Sequence, residues 1–186
     1  MFKTLSVLVP VYNEKNNIKE CLNRILKANT CGLELEIIVS DNNSSDGTQE
    51  LLNSIKDPKI KCFFRNQNNG KGANIKNALK YANGDIILFQ DSDLEYHPEN
   101  YPDLLKPFLE NDADVVYGSR LTRAKTTKIL GFPNYIGNKI FTLLANFLFN
   151  RIYTDIATGY KVFKKEIIKS ISIESNGFEM EPEITA

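Results

Sequence analysis

Short apolar runs that alternate with helical patterns are the feature that most constrains how this chain can fold. Five runs rich in β-branched and apolar residues are typical of strands, and several are continuously apolar, as strands covered on both faces of a parallel sheet are. They are SVLVPVY (6–12), LEIIVSD (35–41), KIKCFF (59–64), DIILFQD (85–91) and DVVYGS (114–119). Apolar residues recur with helical spacing at 18–26 and 75–82, and another helix is predicted from about Thr48, with Asp46 as its N-cap. The alternation predicts an α/β fold with a mainly parallel central sheet and helices on both faces.

Polar residues follow four of these runs at the point where each predicted strand ends. The clusters are PVYNE (10–14), SDNNSSDGT (40–48), QDSD (90–93) and GSR (118–120). The carboxyl ends of parallel strands share one edge of a sheet, and ligands of α/β proteins collect there. We therefore expect the four clusters to line one site.

The charge balance and the cysteines exclude several classes of protein. The 186 residues contain 23 Lys and Arg against 23 Asp and Glu, so no overall basic field favours nucleic acid, and an anionic ligand must be held locally. Three cysteines without CxxC spacing indicate reduced, mostly buried thiols rather than a zinc site or a disulfide framework. The sequence starts without a signal-peptide pattern, and its longest apolar-leaning stretch, 140–149, is too short to span a bilayer. These features predict a cytoplasmic location.

Asp91 and Asp93 form the most informative cluster. They lie one residue apart behind the apolar run DIILF, where like charges repel each other unless a cation or hydrogen bonds compensate. Such a pair also occurs by chance in solvated turns, but here it follows a predicted buried strand and faces Asp41 across the expected site, near Lys71 and Arg120. Carboxylates suit Mg²⁺ or Mn²⁺, which take one or two of them together with diphosphate oxygens and water. The pair therefore predicts a metal-bound diphosphate.

Other motifs that suggest nucleotide or metal binding fail on spacing. The stretch NNGKGANIK (68–76) lacks the GK[ST] ending of a phosphate loop, DNNSSDG fits no frame of a calcium loop, and PVYNE stands where a dinucleotide fingerprint requires glycines. Gly70 and Gly72 open a predicted helix whose free N–H groups either meet an anion beside Lys71 or form a plain turn. The single histidine, His97, excludes a Ser-His-Asp arrangement and, at a predicted helix start, favours a structural role.

Five ordered motifs together resemble the inverting glycosyltransferases of family 2. They are VPVYNE, SDNNSSDGT, NGKGANIKNALKYANGDIILFQDSDLEYHPE, VVYGSR and TDIATGYKVFKKE. The resemblance covers essentially the whole chain and is strongest for the branch of dolichol-phosphate mannosyltransferases and bacterial polyprenyl-phosphate sugar transferases. It implies the Rossmann-like GT-A fold, in which a DxD pair holds Mg²⁺ or Mn²⁺ on the diphosphate of a nucleotide-sugar donor.

The resemblance also implies which residues bind the donor. Asp91 and Asp93 correspond to the metal motif, and Arg120 to a residue that stabilises the departing diphosphate. Asn42 departs from the family pattern, where a second aspartate is common, so UDP- and GDP-linked donors both stay open. The residues expected to contact the nucleotide-sugar are Pro10, Tyr12, Glu14, Ser40, Asp41, Asn42, Lys71, Asp91, Ser92, Asp93 and Arg120.

The mechanism implied by the resemblance is a single displacement at the anomeric carbon with inversion, for which Asp93, Arg120 and Asp155 are the expected catalytic residues. Two acceptors stay open. A polyprenyl phosphate at the cytoplasmic face of a membrane is already anionic, whereas a saccharide hydroxyl needs a carboxylate to take its proton. Asp155 is the candidate base, and the alternative is a hydrogen bond to a helix end. The residues considered for the acceptor phosphate are Lys161, Arg123, Lys125 and Lys128, although solvated surface charge also explains the last two.

The C-terminal third of the chain leaves further alternatives. An apolar helical stripe over 136–148, in an aromatic-rich stretch from Phe132 to Phe149, forms either core, which we favour, or a surface resting on a membrane. We expect residues 1–186 to form one catalytic domain that is truncated at its C-terminal end, because relatives continue past TDIATGYKVFKKE. A non-catalytic nucleotide-sugar-binding domain is therefore a competing function. A sugar nucleotidyltransferase is disfavoured, because PVYNE replaces the Gly-rich loop of that class.

Overall fold

A six-stranded sheet organises the part of the chain that the computed structural model describes, which is residues 2–119, 132–156 and 158–185. The strands are β1 (Thr4–Val11), β2 (Glu34–Asp41), β3 (Ile60–Phe64), β4 (Ile86–Phe89), β5 (Val115–Tyr117) and β6 (Lys161–Lys164). The helices are α1 (Ile18–Leu26), α2 (Thr48–Asn53), α3 (Lys71–Leu79), α4 (Tyr101–Asn111), α5 (Phe132–Phe149), α6 (Lys165–Ser170) and α7 (Met180–Thr185), and a 3₁₀ turn spans Pro98–Asn100.

The sheet is mainly parallel, as predicted, with strand order β3-β2-β1-β4-β6-β5. β1 pairs in parallel with β2 on one side and with β4 on the other, and its last residue, Val11, lies beside Asp41 at the end of β2. The next residue along, Asn42, continues this contact by donating its backbone N–H to the Val11 carbonyl at 2.9 Å. The turns after β1 and β2 therefore leave the sheet side by side.

β6 is a strand that the sequence did not predict. It runs antiparallel to both β4 and β5, and lies between them. Its sequence, KVFK, has a lysine at each end and therefore lacks the continuous apolar run of a buried strand. Because β5 and β4 are each antiparallel to β6, they are parallel to each other, and β5 ends at the same edge of the sheet as β1, β2 and β4.

Helices cover both faces of the sheet. On one face α1 and α4 pack on alternate residues of the central strands, for example Val7 and Leu88. On the other face α3, α6 and α7 pack on the residues between them, for example Leu8 and Ile87. All four of these strand side chains are fully buried. The continuous apolar runs are thus explained by a core on each side.

The start of α2 differs by one residue from the prediction. The N-cap position is held by Gly47, whose φ of 99° is in the left-handed region that favours glycine. Asp46 lies outside the helix and accepts a hydrogen bond from the Thr48 N–H at 3.0 Å. The prediction that Asp46 is the N-cap is therefore wrong by one residue, although this aspartate accepts a hydrogen bond from the first residue of the helix.

The apolar stripe over 136–148 is part of helix α5, but its interpretation as core is wrong for the side chains that the structure describes. Phe141 is 65% exposed and Phe147 is 85% exposed, and the neighbouring leucines are exposed as well. The buried face of α5 is instead small and polar, with Asn138 and Thr142 on it. Among the described helices, none has the combined length and apolarity needed to cross a bilayer.

The three cysteines are free, as predicted, although Cys31 is exposed rather than buried. Cys21 lies beneath the turn after β4, with its Sγ atom 3.8 Å from the Asp91 carbonyl. Burial, followed by the charges of Asp93 and Asp91, raises the pKa of the Cys21 thiol to about 12. This thiol is therefore protonated at neutral pH and serves as part of the core.

Candidate active site

A cavity of about 360 Å³ opens at the edge of the sheet where β1, β2 and β4 end. Three of the four predicted polar clusters contribute to it. Its lining residues are Pro10, Val11, Tyr12, Glu14, Asn42, Asn68, Gly70, Lys71, Asn74, Asp91, Ser92, Asp93 and Phe178. Of the fourth cluster, Gly118 and Ser119 follow β5, while the predicted site residue Arg120 lies outside the described residues, as do Arg123, Lys125 and Lys128.

The turn after β1 presents an aromatic ring to this cavity. Asn13 has a φ of 55° and is held from both sides, since its N–H donates to the Ser44 hydroxyl at 2.8 Å and its Oδ1 accepts from the Ser45 N–H at 2.9 Å. Tyr12, next to it, is half exposed. The fixed turn therefore places a large planar surface at the cavity mouth, where a nucleobase could stack on it.

Ser40 and Asp41 do not line the cavity. Both are fully buried, and the Ser40 hydroxyl accepts a hydrogen bond from the Asn77 amide at 2.9 Å. Asp41 Oδ2 accepts from the Ser44 N–H at 2.9 Å and from the Gln49 amide at 2.7 Å, so this carboxylate organises the loop between β2 and α2. Its Oδ1 is buried and has no hydrogen-bond partner among the described residues, which leaves it the capacity to accept one bond more.

Asn42 does line the cavity, as predicted, and is part of a small asparagine cluster. Its Nδ2 donates to Asn68 Oδ1 at 2.5 Å and to the Gly70 carbonyl at 3.2 Å. Asn74 lies behind it and donates to the carbonyls at the ends of β1 and β2. These bonds join the turn after β2 to the start of α3, and they fix the amide that would face the base or ribose.

The two aspartates after β4 both reach the cavity, and the positive partner expected for them is Lys71. The Lys71 ammonium lies 2.8 Å from Asp91 Oδ1. Asp93 Oδ1 accepts a hydrogen bond from the Glu95 N–H at 3.1 Å, across Leu94, whose φ of 65° is uncommon for a bulky residue. This tight turn holds the Asp93 carboxylate, and Asp93 lines the same cavity as Asp91.

Lys71 contacts a second carboxylate, Glu181, also at 2.8 Å. Burial acts to lower the pKa of the Lys71 ammonium, but the charges of Asp91 and Glu181 more than offset it, and the pKa is raised. Lys71 therefore carries its positive charge at any physiological pH. It forms a bridge between a predicted metal ligand and a residue of α7.

The glycines at the start of α3 have a use that neither predicted alternative included. The N–H groups of Gly72 and Ala73 donate to the carbonyls of Gly177 and Asn176, at 3.2 and 3.0 Å. A Cβ atom on Gly72 would lie 2.6 Å from the Ser175 carbonyl oxygen. These N–H groups are thus occupied by the chain itself, and glycine allows the close approach.

The residues present fit a divalent cation. Asp91 and Asp93 supply hard oxygen ligands on one cavity wall, and the Lys71 ammonium shows that a positive group is favoured there. Within the described ranges, no group of three or more His, Cys, Asp or Glu side chains is arranged to hold a metal by itself. This donor set suits Mg²⁺ or Mn²⁺ that keeps water and phosphate oxygens as its other ligands.

Asp155 and Lys161 lie outside the cavity lining. Asp155 is 2% exposed and accepts a hydrogen bond at 2.8 Å from the side chain of Asn138, which lies within α5. This bond is a buried contact between side chains and not the predicted bond to a helix end. Lys161 is 1% exposed, and its ammonium donates to the carbonyls of Ile156 and Thr158 at 2.9 and 2.6 Å. The expectation that Lys161 receives an acceptor phosphate is therefore wrong, because this group is enclosed. Burial lowers its pKa to about 8.

Sequence reasoning missed four residues of the site. Asn68 and Asn74 line the cavity, and so does Phe178, which arrives from the far end of the chain. Glu181 pairs with Lys71 from α7. The acidic pattern of FEMEPEITA was visible in the sequence, but no local signal connects it to a lysine 110 positions earlier. His97 lies directly before the 3₁₀ turn, at the helix start predicted for it, and its backbone carbonyl accepts a hydrogen bond from the Asn100 N–H.

Known proteins with similar sequences include two from archaea. The chain is 28% identical over 183 residues to a dolichol-phosphate mannosyltransferase of Pyrococcus furiosus, an alignment that covers 97% of this chain and 51% of that protein. It is 27% identical to an uncharacterised protein of Methanocaldococcus jannaschii, over 94% of this chain and 77% of that protein. The chain thus spans about half the length of the mannosyltransferase.

Solved structures with the same fold include glucosyl-3-phosphoglycerate synthase from Mycobacterium tuberculosis. Its complex with UDP superposes with a TM-score of 0.75 at 24% identity, covering 98% of this chain and 64% of that one. Its complex with Mg²⁺ and UDP gives a TM-score of 0.71 at 23% identity, covering 98% and 63%. These similarities show that the fold is GT-A, as predicted.

The sequence profile described as Glycosyl transferase family 2 matches residues 6–172. This range begins within β1 and ends just after α6, so it contains most of β1, all five other strands and all but one of the cavity-lining residues. Since the profile matches far more than half of the sequence, this chain belongs to glycosyl transferase family 2.

Proposed function

We propose that this protein binds a UDP- or GDP-linked sugar together with Mg²⁺ or Mn²⁺ and transfers the sugar, with inversion, to a polyprenyl phosphate at the cytoplasmic face of a membrane. The observation that carries the proposal is the pair Asp91 and Asp93 on the wall of a cavity at the carboxyl ends of parallel strands. Ligands of α/β folds bind at this position. The membership of family 2 and the metal-compatible carboxylates support the same conclusion.

Each part of the cavity has a role in this proposal. Tyr12 and Asn42 hold the nucleoside, while Asp41, buried behind them, keeps the loop between β2 and α2 in place. Asp91 and Asp93 hold the cation, which supplies positive charge to the leaving diphosphate. Lys71, which stays protonated at physiological pH, adds a positive charge beside the same phosphates. Arg120, which lies outside the described residues, stays a proposed contact of the diphosphate.

A polyprenyl phosphate is the acceptor we favour. The Pyrococcus relative is a dolichol-phosphate mannosyltransferase, which by its name acts on a lipid phosphate. Asp155, the candidate base for a hydroxyl acceptor, is buried against Asn138. An acceptor that is already ionised needs no such base. Transfer to a saccharide hydroxyl is the alternative, and it would require a carboxylate other than Asp155.

Peripheral association with a membrane is part of the proposal. The exposed face of α5 is apolar, and in the sequence it follows the basic residues Arg123, Lys125 and Lys128. An apolar helix face next to basic residues is typical of helices that lie in a membrane interface containing anionic lipid. We expect the protein to float with vesicles of phosphatidylcholine and phosphatidylglycerol. Replacing Phe141 and Phe147 by serine should abolish flotation, and unchanged flotation would contradict this part.

Calorimetry with a panel of UDP- and GDP-sugars, with and without Mn²⁺, tests the donor site. We expect one nucleotide class to bind and Mn²⁺ to tighten that binding. Asp93→Ala should remove the part of the affinity that depends on Mn²⁺, because it removes a carboxylate ligand. Unchanged Mn²⁺ dependence in the variant would contradict the assignment of the site.

A non-catalytic nucleotide-sugar-binding protein is the competing function. The alignment covers only 51% of the mannosyltransferase, so the similarity does not extend over the whole of that enzyme. Catalysis by residues 1–186 as one domain is therefore itself a proposal. Incubation with donor, Mn²⁺ and a detergent-dispersed polyprenyl phosphate separates the two functions. Formation of a lipid-linked sugar supports transfer. Metal-dependent nucleotide binding with neither transfer nor donor hydrolysis supports the binding function.

A further inference from the structure

The segment from Glu174 to Thr185, here called the C-terminal strap, crosses the start of α3 and ends in α7. Hydrogen bonds and buried side chains along its length hold it in place. Glu183 accepts hydrogen bonds from the N–H groups of Glu174 and Ser175 at 2.6 and 2.9 Å, which closes the strap on itself. Met180 and Ile184 are buried in the core beneath α3.

The strap is also joined to the donor cavity by backbone bonds. The carbonyls of Asn176 and Gly177 accept hydrogen bonds from two N–H groups in the first turn of α3, those of Ala73 and Gly72, and Phe178 forms part of the cavity lining. The position of Glu181, one turn further on, is therefore fixed relative to the cavity. This residue is 8% exposed, and its carboxylate faces Lys71.

Lys71 lies between two carboxylates at the same distance. Its ammonium is 2.8 Å from Asp91 Oδ1 and 2.8 Å from Glu181 Oε1. The lysine side chain is long and has four rotatable bonds, whereas the strap holds Glu181 from both sides. When charges rearrange in this cavity, the ammonium is therefore the group that moves.

A divalent cation on Asp91 competes with this ammonium, because Lys71 lies against both carboxylate oxygens, 2.8 Å from Oδ1 and 3.0 Å from Oδ2, and the two positive charges repel each other. If Asp91 were the sole partner of Lys71, each bound cation would leave a buried ammonium without a counter-ion, which is unfavourable. Glu181 removes that cost, since Lys71 keeps one charge-assisted bond when it leaves Asp91. The released ammonium then stays at the rim of the same cavity.

We propose that Glu181 is a positioning residue that retains Lys71 when the divalent cation takes over Asp91, so that cation binding and the placement of Lys71 toward the donor diphosphate are coupled. This inference rests on the proposed function, because it requires a cation on Asp91 and Asp93. It adds a residue of the C-terminal strap to the machinery of the donor site. In this proposal Lys71 neutralises Asp91 until the divalent cation binds, and Glu181 is the second partner of Lys71.

A double-mutant cycle on Mn²⁺ affinity tests the coupling. Mn²⁺ is titrated into the nucleotide-free wild-type protein, Glu181→Gln, Lys71→Met and the double variant, and free Mn²⁺ is read by electron paramagnetic resonance. We expect Glu181→Gln to weaken Mn²⁺ binding about tenfold when Lys71 is present, because the ammonium then stays on Asp91. In the Lys71→Met background, the same change should weaken binding less than about threefold, which is the direct effect of the lost charge.

Glu179→Gln is the matched control, since Glu179 is an exposed carboxylate two residues before Glu181 on the same strap. It should change the Mn²⁺ affinity less than about twofold. Equal weakening by Glu181→Gln in both backgrounds, or a larger effect in the Lys71→Met background, would overturn the role of Glu181 while leaving the cation site in place. Absence of Mn²⁺ binding to the wild-type protein would overturn the proposed function together with this inference.

A structure of the wild-type protein with Mn²⁺ and UDP gives a test that does not depend on the folding of any variant. We expect the Lys71 ammonium within hydrogen-bonding distance of Glu181 and of a phosphate oxygen, and no longer paired with Asp91. Lys71 still bound to Asp91 beside a bound Mn²⁺ would overturn the proposal.

Discussion

The strands that end at the cavity, β1, β2 and β4, and helix α5 are both strongly apolar in sequence, but they place their apolar residues in opposite ways. In β1 and β4 the apolar side chains are covered on both faces, so that Leu88 is fully buried. In α5 the buried face carries Asn138 and Thr142, and the apolar face, with Phe147 at its centre, is exposed. Apolar content predicts burial only where the chain supplies a layer on each side. No such layer covers the apolar face of α5 in the part of the chain that the structure describes.

The largest expected effect is a loss of transfer activity on substitution of Asp93, which follows β4 and lines the cavity. Asp93→Asn should lower sugar transfer at least about 100-fold, because an amide is a poor ligand for Mg²⁺ or Mn²⁺ and leaves the diphosphate charge unbalanced. The measurement is the initial rate of transfer to a polyprenyl phosphate at saturating Mn²⁺. Asp103→Asn, at an exposed carboxylate of α4, is the control and should stay within about twofold of wild type. A similar loss in both variants would contradict a specific role for Asp93.

A pair of truncations tests the opposite burial directly. Leu88→Ala should lower the free energy of unfolding by about 3 kcal/mol, because it leaves a cavity in the packed sheet. Phe147→Ala removes a larger side chain but should change the free energy of unfolding by less than about 0.5 kcal/mol, since that ring is exposed. Urea unfolding followed by circular dichroism measures both. A cost for Phe147→Ala close to that of Leu88→Ala would show that α5 packs against something in solution.

Lys161 of β6, which donates to two carbonyls of the segment after α5, gives a pH-dependent test. Burial lowers its pKa from 10.5 to about 8, so between these values the unfolded chain binds more protons than the folded protein. The free energy of unfolding should therefore rise with pH, by about 1.5 kcal/mol between about pH 8 and pH 9.5. Lys161→Met should lack this rise when urea unfolding is repeated at both pH values. An identical pH dependence in the variant would contradict the lowered pKa.

Two glycine substitutions give the smallest effects and should have opposite signs. Gly137→Ala in α5 meets no atom within 4 Å and should stabilise the protein by up to about 1 kcal/mol through helix propensity. Gly72→Ala in α3 places a Cβ atom 2.6 Å from the Ser175 carbonyl and should destabilise it by about 1 kcal/mol, in spite of the same propensity. Thermal unfolding compares the two. Stabilisation by Gly72→Ala would show that the strap does not pack on this glycine.

Much of the fold could be predicted from the sequence because its parallel strands are continuous apolar runs. All five predicted strands are present, and the turns after β1, β2 and β4 meet at one cavity as expected. β6 was missed because KVFK has no apolar run and is recruited by its neighbours β4 and β5. Its two lysines are buried, one against backbone carbonyls and one beside aspartates, which no local pattern indicates.

The residues of the site also divide into those that the sequence predicted and those that it did not. Asp91, Asp93, Tyr12 and Asn42 were predicted and lie on the cavity. Ser40 and Asp41 belong to a predicted cluster, but side chains on a strand alternate between faces and a turn redirects the next ones, so membership of a cluster does not decide which groups reach the cavity. Phe178 and Glu181 could not be predicted, because they lie more than 100 positions after Lys71, the residue that both contact.

The sequence by itself determined the α/β alternation, the edge of the sheet where the polar turns collect, and the paired acids that suit a divalent cation. Those features depend on periodicity and on residue chemistry, which act over a few neighbouring residues. Only the tertiary structure decided that Lys71 bridges Asp91 and Glu181 and that α5 turns its apolar face outward. Contacts between distant segments form where packing of the whole sheet brings them together. Local sequence patterns do not predict that packing.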